Sequence, residues 1–163
     1  MAMTVHQWLD KYGESHTNPT NKLIHWICVP IIVWTVFALL YSIPTSFLPA
    51  PLPVYHPVLN FATLAALYAI VFYTRLSPPL GAGMVIVSSV MMYLAWAADQ
   101  ALAGTGFPLW GLALIVFFLA WVGQFYGHKV EGAKPSFIDD MKFLLIGPMW
   151  LMSFIYRRLG IKY

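Results

Sequence analysis

The sequence predicts an all-α fold, a polytopic membrane helix bundle, and three observations lead to this expectation. Hydrophobic residues make up 60% of the 163 residues. Charged residues make up only 9%, whereas soluble domains have roughly a quarter. The apolar runs are long and uninterrupted, and the mean hydropathy is +0.72. Because lipid offers the backbone no hydrogen-bond partners, such runs favour helices, here within a single membrane-embedded domain over residues 1–163.

Four apolar runs reach the roughly 17 to 25 residues that a membrane-spanning helix needs. They are residues 23–43, 58–74, 80–98 and 107–127. The first run has the length of a spanning helix and not of a signal peptide's apolar core, so we expect it to be retained. A fifth run, 143–156, is shorter and contains Pro148. It predicts a C-terminal re-entrant or interfacial helix, with a full span as the alternative.

The positions of lysine and arginine predict the orientation, because positively charged loops stay on the cytoplasmic side. Those that flank the spans on one side are Lys11, Lys22, Arg75, Lys129, Lys134 and Lys142. Both termini are then cytoplasmic, with four crossings. We expect a multi-pass protein of a bacterial inner membrane, or of the endoplasmic reticulum if the organism is eukaryotic. The net charge of +3 is modest and dispersed, which suits anionic lipid head groups and not nucleic acid.

A short amphipathic helix is predicted before the first span. Val5, Trp8, Leu9 and Tyr12 are spaced i, i+3, i+4 and i+7 and form one apolar face. Such a helix is expected to lie along the membrane interface. His16 continues the same stripe, so its imidazole should point inward, whereas His6 lies off the stripe.

The stretch HTNPTNKLIH, residues 16–25, leads into the first span. Asn18 followed by Pro19 is typical of a helix N-cap with proline at the first helical position. Asn21 and His25 then lie one turn apart on one face, where the asparagine side chain could orient the imidazole or a bound ligand. His25 should lie about 4.5 Å deeper than Lys22, close to the membrane interface.

The stretch WVGQFYGHKVEGAKP, residues 121–135, ends the fourth span. Gln124, His128 and Glu131 are spaced i, i+4 and i+7 on one helix face, and Gly132 then favours a helix end. A cation is stable at a helix C-terminus and an anion is not. Glu131 therefore requires a partner, which we expect to be Lys129, Lys134 or a metal.

The predicted topology brings His16, His25, His128 and Glu131 to the cytoplasmic interface, and it places His56 on the opposite side. Three imidazoles with a possible carboxylate suit iron or zinc better than magnesium or calcium, which prefer oxygen ligands. The spacing leaves the metal identity open. It also leaves open the simpler interpretation of each histidine as a hydrogen-bonded interfacial residue.

The segments YGESHTNPTNKLIHWICVP and WVGQFYGHKVEGAKPSFIDD, with the later GPMW, closely resemble the membrane 2-hydroxy-fatty-acid (2-hydroxypalmitate) dioxygenase family of fatty-acid α-oxidation, formerly a domain of unknown function. The resemblance covers nearly the whole chain. It implies an enzyme that uses Fe(II) and O2 to convert a long-chain 2-hydroxy fatty acid to the acid one carbon shorter. Carried onto this sequence, it implies metal ligation by His16, His25 and His128, catalytic roles for Glu131 and Lys129, and supporting cofactor-binding roles for Asn18, Asn21 and Gln124.

Other functions use the same residues. In a zinc-dependent membrane hydrolase, Glu131 and the metal would activate water. In a non-catalytic membrane carrier or assembly protein, the polar motifs would only cap helices, and a bis-histidine haem protein is a further alternative. The sequence leaves open the chain-length preference, the oligomeric state, and whether Glu131 or His6 completes the metal shell.

Overall fold

A computed structural model describes residues 3–45, 58–134 and 142–163, which form six helices and no strand. The helices are α1 (Val5–Gly13), α2 (Pro19–Tyr41), α3 (Phe61–Leu76), α4 (Pro78–Leu102), α5 (Leu109–Glu131) and α6 (Phe143–Arg158). The predicted all-helical fold is confirmed. His56, which was expected on the far side of the membrane, and Pro135 lie outside the described residues.

Local sequence signals determine where the helices around the predicted histidine site begin and end. The Asn18 side chain accepts a hydrogen bond from the Thr20 backbone N–H at 2.9 Å, so α2 begins at Pro19 as the cap predicts. At the other end of the site, α5 stops at Gly132, whose φ of 74° is left-handed. Glycine adopts that conformation without steric cost, so the helix ends directly after Glu131.

Three helices of the described chain are long and apolar enough to cross a membrane: α2, α4 and α5, with 23, 25 and 23 residues. The prediction of a fourth, over residues 58–74, is wrong in length. Helix α3 has 16 residues, about 24 Å at 1.5 Å per residue, against a hydrocarbon core of about 30 Å. The reason is that Asn60 caps the helix by accepting from the Thr63 N–H at 3.1 Å. Residues 58–60 therefore lie outside α3.

Two buried apolar clusters occupy opposite ends of the bundle. One joins Tyr73 near the end of α3 and Leu80 near the start of α4 to residues of α1 and α6. The other joins the end of α2 to the starts of α3 and α5, through residues such as Tyr41, Ala62 and Leu109. Helices α2 to α5 therefore run alternately up and down, so the beginning of α2 and the end of α5 meet at the same end.

Helix α1 packs against α6. Val5, Leu9 and Tyr12, three residues of the predicted stripe, are buried in one cluster with Phe143 and Trp150 of α6. The stripe therefore has the orientation that its spacing predicted. Helix α6 has 16 residues and contains Pro148. Whether α6 is re-entrant or interfacial, and whether α1 lies at the interface, remain predictions.

Candidate metal centre

Three histidines from distant parts of the chain converge at one end of the bundle. His16 lies in the connection between α1 and α2, His25 in the second turn of α2, and His128 in the last turn of α5. One ring nitrogen of each lies within 4.8 Å of the others. All three rings are buried, and His16 and His25 are each only 1% exposed. The convergence expected from the topology is therefore present in the structure.

Backbone carbonyl groups orient two of the three rings. Nδ1 of His16 lies 2.6 Å from the Tyr12 carbonyl oxygen, and Nδ1 of His25 lies 2.9 Å from the Asn21 carbonyl oxygen. A carbonyl oxygen only accepts hydrogen bonds, so each Nδ1 carries a proton and donates it. The neutral ring then has its lone pair on Nε2. This arrangement, with Nδ1–H bonded to a carbonyl, is typical of metal-binding histidines.

The two Nε2 atoms face each other. Nε2 of His16 lies 2.9 Å from Nε2 of His25, well inside the roughly 4.2 Å that two ligands can span when each is about 2.1 Å from one ion. Two lone pairs at this distance repel unless a proton or a metal ion lies between them. Burial lowers the pKa of His16 to about 4, with a smaller opposing contribution from the Tyr12 carbonyl. A proton is therefore disfavoured at neutral pH, and the donor set fits a metal cation.

Unpaired polar atoms mark the rest of the site. Nδ1 of His128 and Nε2 of Gln124 are buried and have no hydrogen-bond partner among the described residues. Both side chains line a cavity of about 60 Å³, together with His16, His25 and Tyr12. Buried polar groups are normally satisfied, so these atoms indicate that the cavity holds polar ligand or water atoms. Gln124 therefore lies on the same helix face as His128 and beside the cavity, as the spacing of the two residues predicts.

Two aromatic side chains hold the His16 ring in place. Tyr12 stacks on it, with ring centroids 4.2 Å apart and an interplanar angle of 11°. Trp150 lies 5.3 Å from the His16 ring and 5.3 Å from the Tyr12 ring. The sequence analysis predicted no role for Trp150 in the site, and none for Tyr12 beyond the apolar stripe. The i, i+4 spacing of Tyr12 and His16 was the available signal for the stack.

Glu131 binds the connection that carries His16. Its carboxylate accepts hydrogen bonds from the Thr17 N–H at 2.8 Å, the Asn18 N–H at 2.9 Å and the Asn21 side-chain amide at 3.0 Å. The Thr17 hydroxyl donates to it as well. These partners replace the lysine or metal that we expected. They lie at the N-terminus of α2, where free N–H groups and the helix dipole favour an anion.

The remaining predicted residues lie around the centre and not in it. Asn18 caps α2, and the Asn21 side chain donates to the Ser15 carbonyl oxygen at 3.2 Å and to Glu131. The expectation that the Asn21 side chain orients His25 is wrong, because its backbone carbonyl does so. Lys129 is exposed. His6 is also exposed and packs near Tyr163, with ring centroids 5.5 Å apart.

Comparison with known proteins shows the family to which the chain belongs. A family profile described as 2-hydroxy-palmitic acid dioxygenase Mpo1-like matches residues 2–159. The chain belongs to this Mpo1-like family. The chain is also 30% identical over 153 residues to a Saccharomyces cerevisiae protein named 2-hydroxy-palmitic acid dioxygenase MPO1, over 91% of this chain and 78% of the yeast protein. No solved structure matches the chain. The Mpo1-like match includes all three histidines, and the resemblance inferred from their motifs is confirmed.

Proposed function

We propose that this protein is an Fe(II)-dependent dioxygenase that converts long-chain 2-hydroxy fatty acids to the acid one carbon shorter, as in fatty-acid α-oxidation. The observation that carries the proposal is the pair of facing Nε2 atoms of His16 and His25, 2.9 Å apart in a buried site that also contains His128. Membership of the Mpo1-like family, whose name specifies a 2-hydroxy-palmitic acid dioxygenase, supports the reaction class.

The overall reaction balances with O2 as the only oxidant. A 2-hydroxy acid and one O2 give the shortened acid, CO2 and water, when the bond between the first two carbons breaks. The 2-hydroxy acid loses four electrons, and O2 accepts them. Bound Fe(II) supplies the ability to activate O2, and an imidazole-rich ligand set is one that iron accepts.

The protein residues hold the metal, orient the head group of the substrate and exclude water. His16, His25 and His128 are proposed as the metal ligands, and their burial keeps bulk water from the centre. The unpaired Gln124 amide is available to donate a hydrogen bond to an oxygen atom of the substrate head group. Lys129 is exposed near the same helix end, so its proposed role is to attract the carboxylate and not to touch the reacting atoms.

Glu131 is proposed as a positioning residue. Its carboxylate already accepts hydrogen bonds from Thr17, Asn18 and Asn21, and it is not part of the three-histidine group. It acts by fixing the connection on which His16 is carried. Asn18 and Asn21 belong to the same hydrogen-bonded support and not to the inner surface of the cavity.

The bilayer is part of the proposal. The three histidines lie near the beginning of α2 and the end of α5, at one end of two spanning-length helices. A long-chain acid anchored in lipid presents its head group at that depth. The excess of lysine and arginine at this end supports a site on the cytoplasmic side, in line with the positive-inside rule.

The test is a turnover assay under controlled metal loading. Purified protein is loaded anaerobically with Fe(II), then given 2-hydroxypalmitate and O2, and the shortened acid, CO2 and O2 consumption are measured. We expect one O2 consumed for each shortened acid. His25→Ala should reduce bound iron and reduce turnover by at least about 100-fold, because it removes one of the facing ligands.

His6→Ala is the matched control, since His6 is exposed and outside the group. It should keep both bound iron and turnover. The same protein loaded with zinc should consume no O2. Iron binding that is unchanged in a variant lacking all three histidines would overturn the proposal, as would wild-type protein that binds iron and yields no shortened acid.

A further inference from the structure

Helices α2, α5 and α6 line most of the cavity at the histidines, and Tyr12 of α1 and His16 complete its lining. Helices α5 and α6 both pack on α2, but they are not a packed pair with each other among the described residues. Even so, both line the cavity: Trp121 and Gln124 come from α5, and Leu144 and Gly147 come from α6. The cavity therefore lies in a slot between α5 and α6, with α2 as its floor.

The floor of the slot is apolar and leads away from the histidines toward the middle of the span. Val29, Ile32 and Val33 of α2 line it. Val33 lies eight residues after His25, about 12 Å further along the helix. On α2 the lining changes from His25 to Val29, Ile32 and Val33, so this wall of the slot changes from polar to apolar along the helix axis.

The side of the slot is accessible. Leu144 of α6 is 40% exposed although it lines the cavity, and Trp121, which lines it from α5, is half-buried. The cavity volume of about 60 Å³ corresponds to roughly two water molecules. That enclosed space suits a hydroxy-acid head group. A long chain attached to such a head group must therefore occupy the open side of the slot, between α5 and α6 and beside Val29, Ile32 and Val33.

We infer that the slot between α5 and α6 is the acyl-chain site, through which the chain of a 2-hydroxy fatty acid enters sideways from the bilayer and lies along Val29, Ile32 and Val33. The inference rests on the proposed function for the identity of the head group. To the proposed function it adds the position of the acyl chain and the residues that select for that chain. Leu144 forms the edge of the entrance.

Two larger grooves do not serve this purpose. The groove between α3 and α4, of about 440 Å³, is lined by residues such as Ser88 and Tyr93 and shares no lining residue with the histidine cavity. The groove between α2 and α6 beside Trp26, of about 590 Å³, shares none either. A chain in either groove could not belong to a molecule whose head group reaches the three imidazoles.

Photocrosslinking tests the location without requiring turnover. A 2-hydroxy fatty acid with a diazirine in the middle of its chain is added to the full-length protein in lipid nanodiscs under anaerobic conditions, and labelled residues are mapped by mass spectrometry. We expect labelling in residues 29–33 of α2 and 143–148 of α6, displaced by unlabelled 2-hydroxypalmitate. Labelling mainly in the α3–α4 groove would overturn the inference. Equal slot labelling by a diazirine phosphatidylcholine would also overturn it, because the slot would then accept any lipid tail.

Leu144→Trp tests the entrance. Because Leu144 is partly exposed, a larger side chain narrows the slot with little risk to folding. We expect kcat/KM for 2-hydroxypalmitate to fall at least tenfold, while kcat/KM for 2-hydroxybutyrate, which has almost no chain to place, changes less than twofold. Leu119→Trp, on α5 at a residue that is 66% exposed and does not line the cavity, is the control and should change neither value.

The two proposals fail in distinguishable ways. Slot labelling without turnover of any 2-hydroxy acid contradicts the proposed dioxygenase and leaves the acyl-chain site standing. Turnover in which Leu144→Trp affects long and short substrates equally, or affects neither, contradicts the acyl-chain site and leaves the dioxygenase standing.

Discussion

At the scale of single residues, the centre depends on backbone carbonyls and a carboxylate that do not touch the proposed metal. The Tyr12 and Asn21 carbonyls determine which nitrogen of His16 and His25 is free to bind. Glu131 holds the connection between α1 and α2 against the end of α5. Since His16 lies on that connection and His128 on α5, one carboxylate fixes the separation of two proposed ligands.

Replacing that carboxylate should weaken metal binding more than folding. In Glu131→Gln the side chain keeps its size but loses the charge that accepts the hydrogen bonds from Thr17, Asn18 and Asn21. We expect the Fe(II) dissociation constant to rise about 10- to 100-fold, as for other groups that orient metal ligands. Anaerobic titration with Fe(II) measures this, and circular dichroism should show unchanged helix content. Glu14→Gln, at an exposed residue, should bind as wild type does. An equal loss of Fe(II) affinity in both variants would contradict the positioning role of Glu131.

A second residue-scale prediction concerns close packing between α2 and α5. A Cβ at Gly127 would collide with Oδ1 of Asn21 and lie 3.4 Å from Cγ2 of Ile24. Gly127→Ala should therefore force the helices apart, costing about 1 to 3 kcal/mol in unfolding free energy, and should lower Fe(II) affinity because Asn21 moves. Thermal unfolding and iron titration test both effects.

Gly111→Ala is the matched control for that change. Its Cβ would meet the Phe107 ring at 3.3 Å and Cγ of Pro108 at 3.5 Å, near the other end of α5. Since alanine favours a helix interior by up to about 1 kcal/mol over glycine, the control should be neutral or stabilising. A Gly127→Ala protein as stable as this control would show that the approach of α2 and α5 is not tight at this position.

The site residues that could be predicted from sequence were those with a local signal. The stripe of α1 gave the inward direction of His16, and the spacing of Gln124 and His128 placed both on one inward face. The partners of Glu131 could not be predicted, because Thr17 and Asn18 lie more than 110 residues away in the chain. The sequence suggested Lys129, Lys134 or a metal as the partner, whereas the carboxylate accepts hydrogen bonds from Thr17, Asn18 and Asn21.

At the scale of elements, α1 is the support for His16. Its buried stripe packs on α6. The Tyr12 ring stacks on the His16 ring, and the Tyr12 carbonyl oxygen accepts a hydrogen bond from the His16 Nδ1–H. Element boundaries followed from sequence where caps were explicit, as at Asn18. The predicted start of α3 was wrong, because the apolar run begins before the capping Asn60 and a hydropathy pattern does not detect a cap. The length of the apolar run therefore overestimated the length of the helix.

Weakening the contact between α1 and α6 should disturb the centre from a distance. Leu9 is 6% exposed in that contact, and Leu9→Ala should cost about 2 to 5 kcal/mol in the stability of the packed helix. We expect faster hydrogen exchange in residues 5–16 and weaker Fe(II) binding, with exchange in α2 and α5 unchanged. Leu23→Ala, at a residue that is 61% exposed, should alter neither. Unchanged hydrogen exchange in α1 would show that its packing on α6 through Leu9 is not what stabilises this helix.

At the scale of the whole molecule, the three-histidine group constrains the membrane topology. It joins the beginning of α2 to the end of α5, so these two helix ends lie on the same side of the membrane. Helix α4 leads from Arg75 to the turn at Thr105, and α5 leads back from that turn. If both span, as their length and composition allow, the site and Arg75 share one side and Thr105 lies on the other.

Single-cysteine labelling tests that arrangement directly. Cys28 is the only cysteine and is buried, so Cys28→Ser provides a background for Glu14→Cys, Arg75→Cys, Lys134→Cys and Thr105→Cys. In right-side-out and inverted vesicles, a membrane-impermeant maleimide should label positions 14, 75 and 134 from one side and position 105 from the other. The positive-inside rule predicts that the first side is the cytoplasmic one. Labelling of 75 and 105 from the same side would mean that α4 does not cross. Labelling of 14 and 134 from opposite sides would be incompatible with a single centre containing His16 and His128.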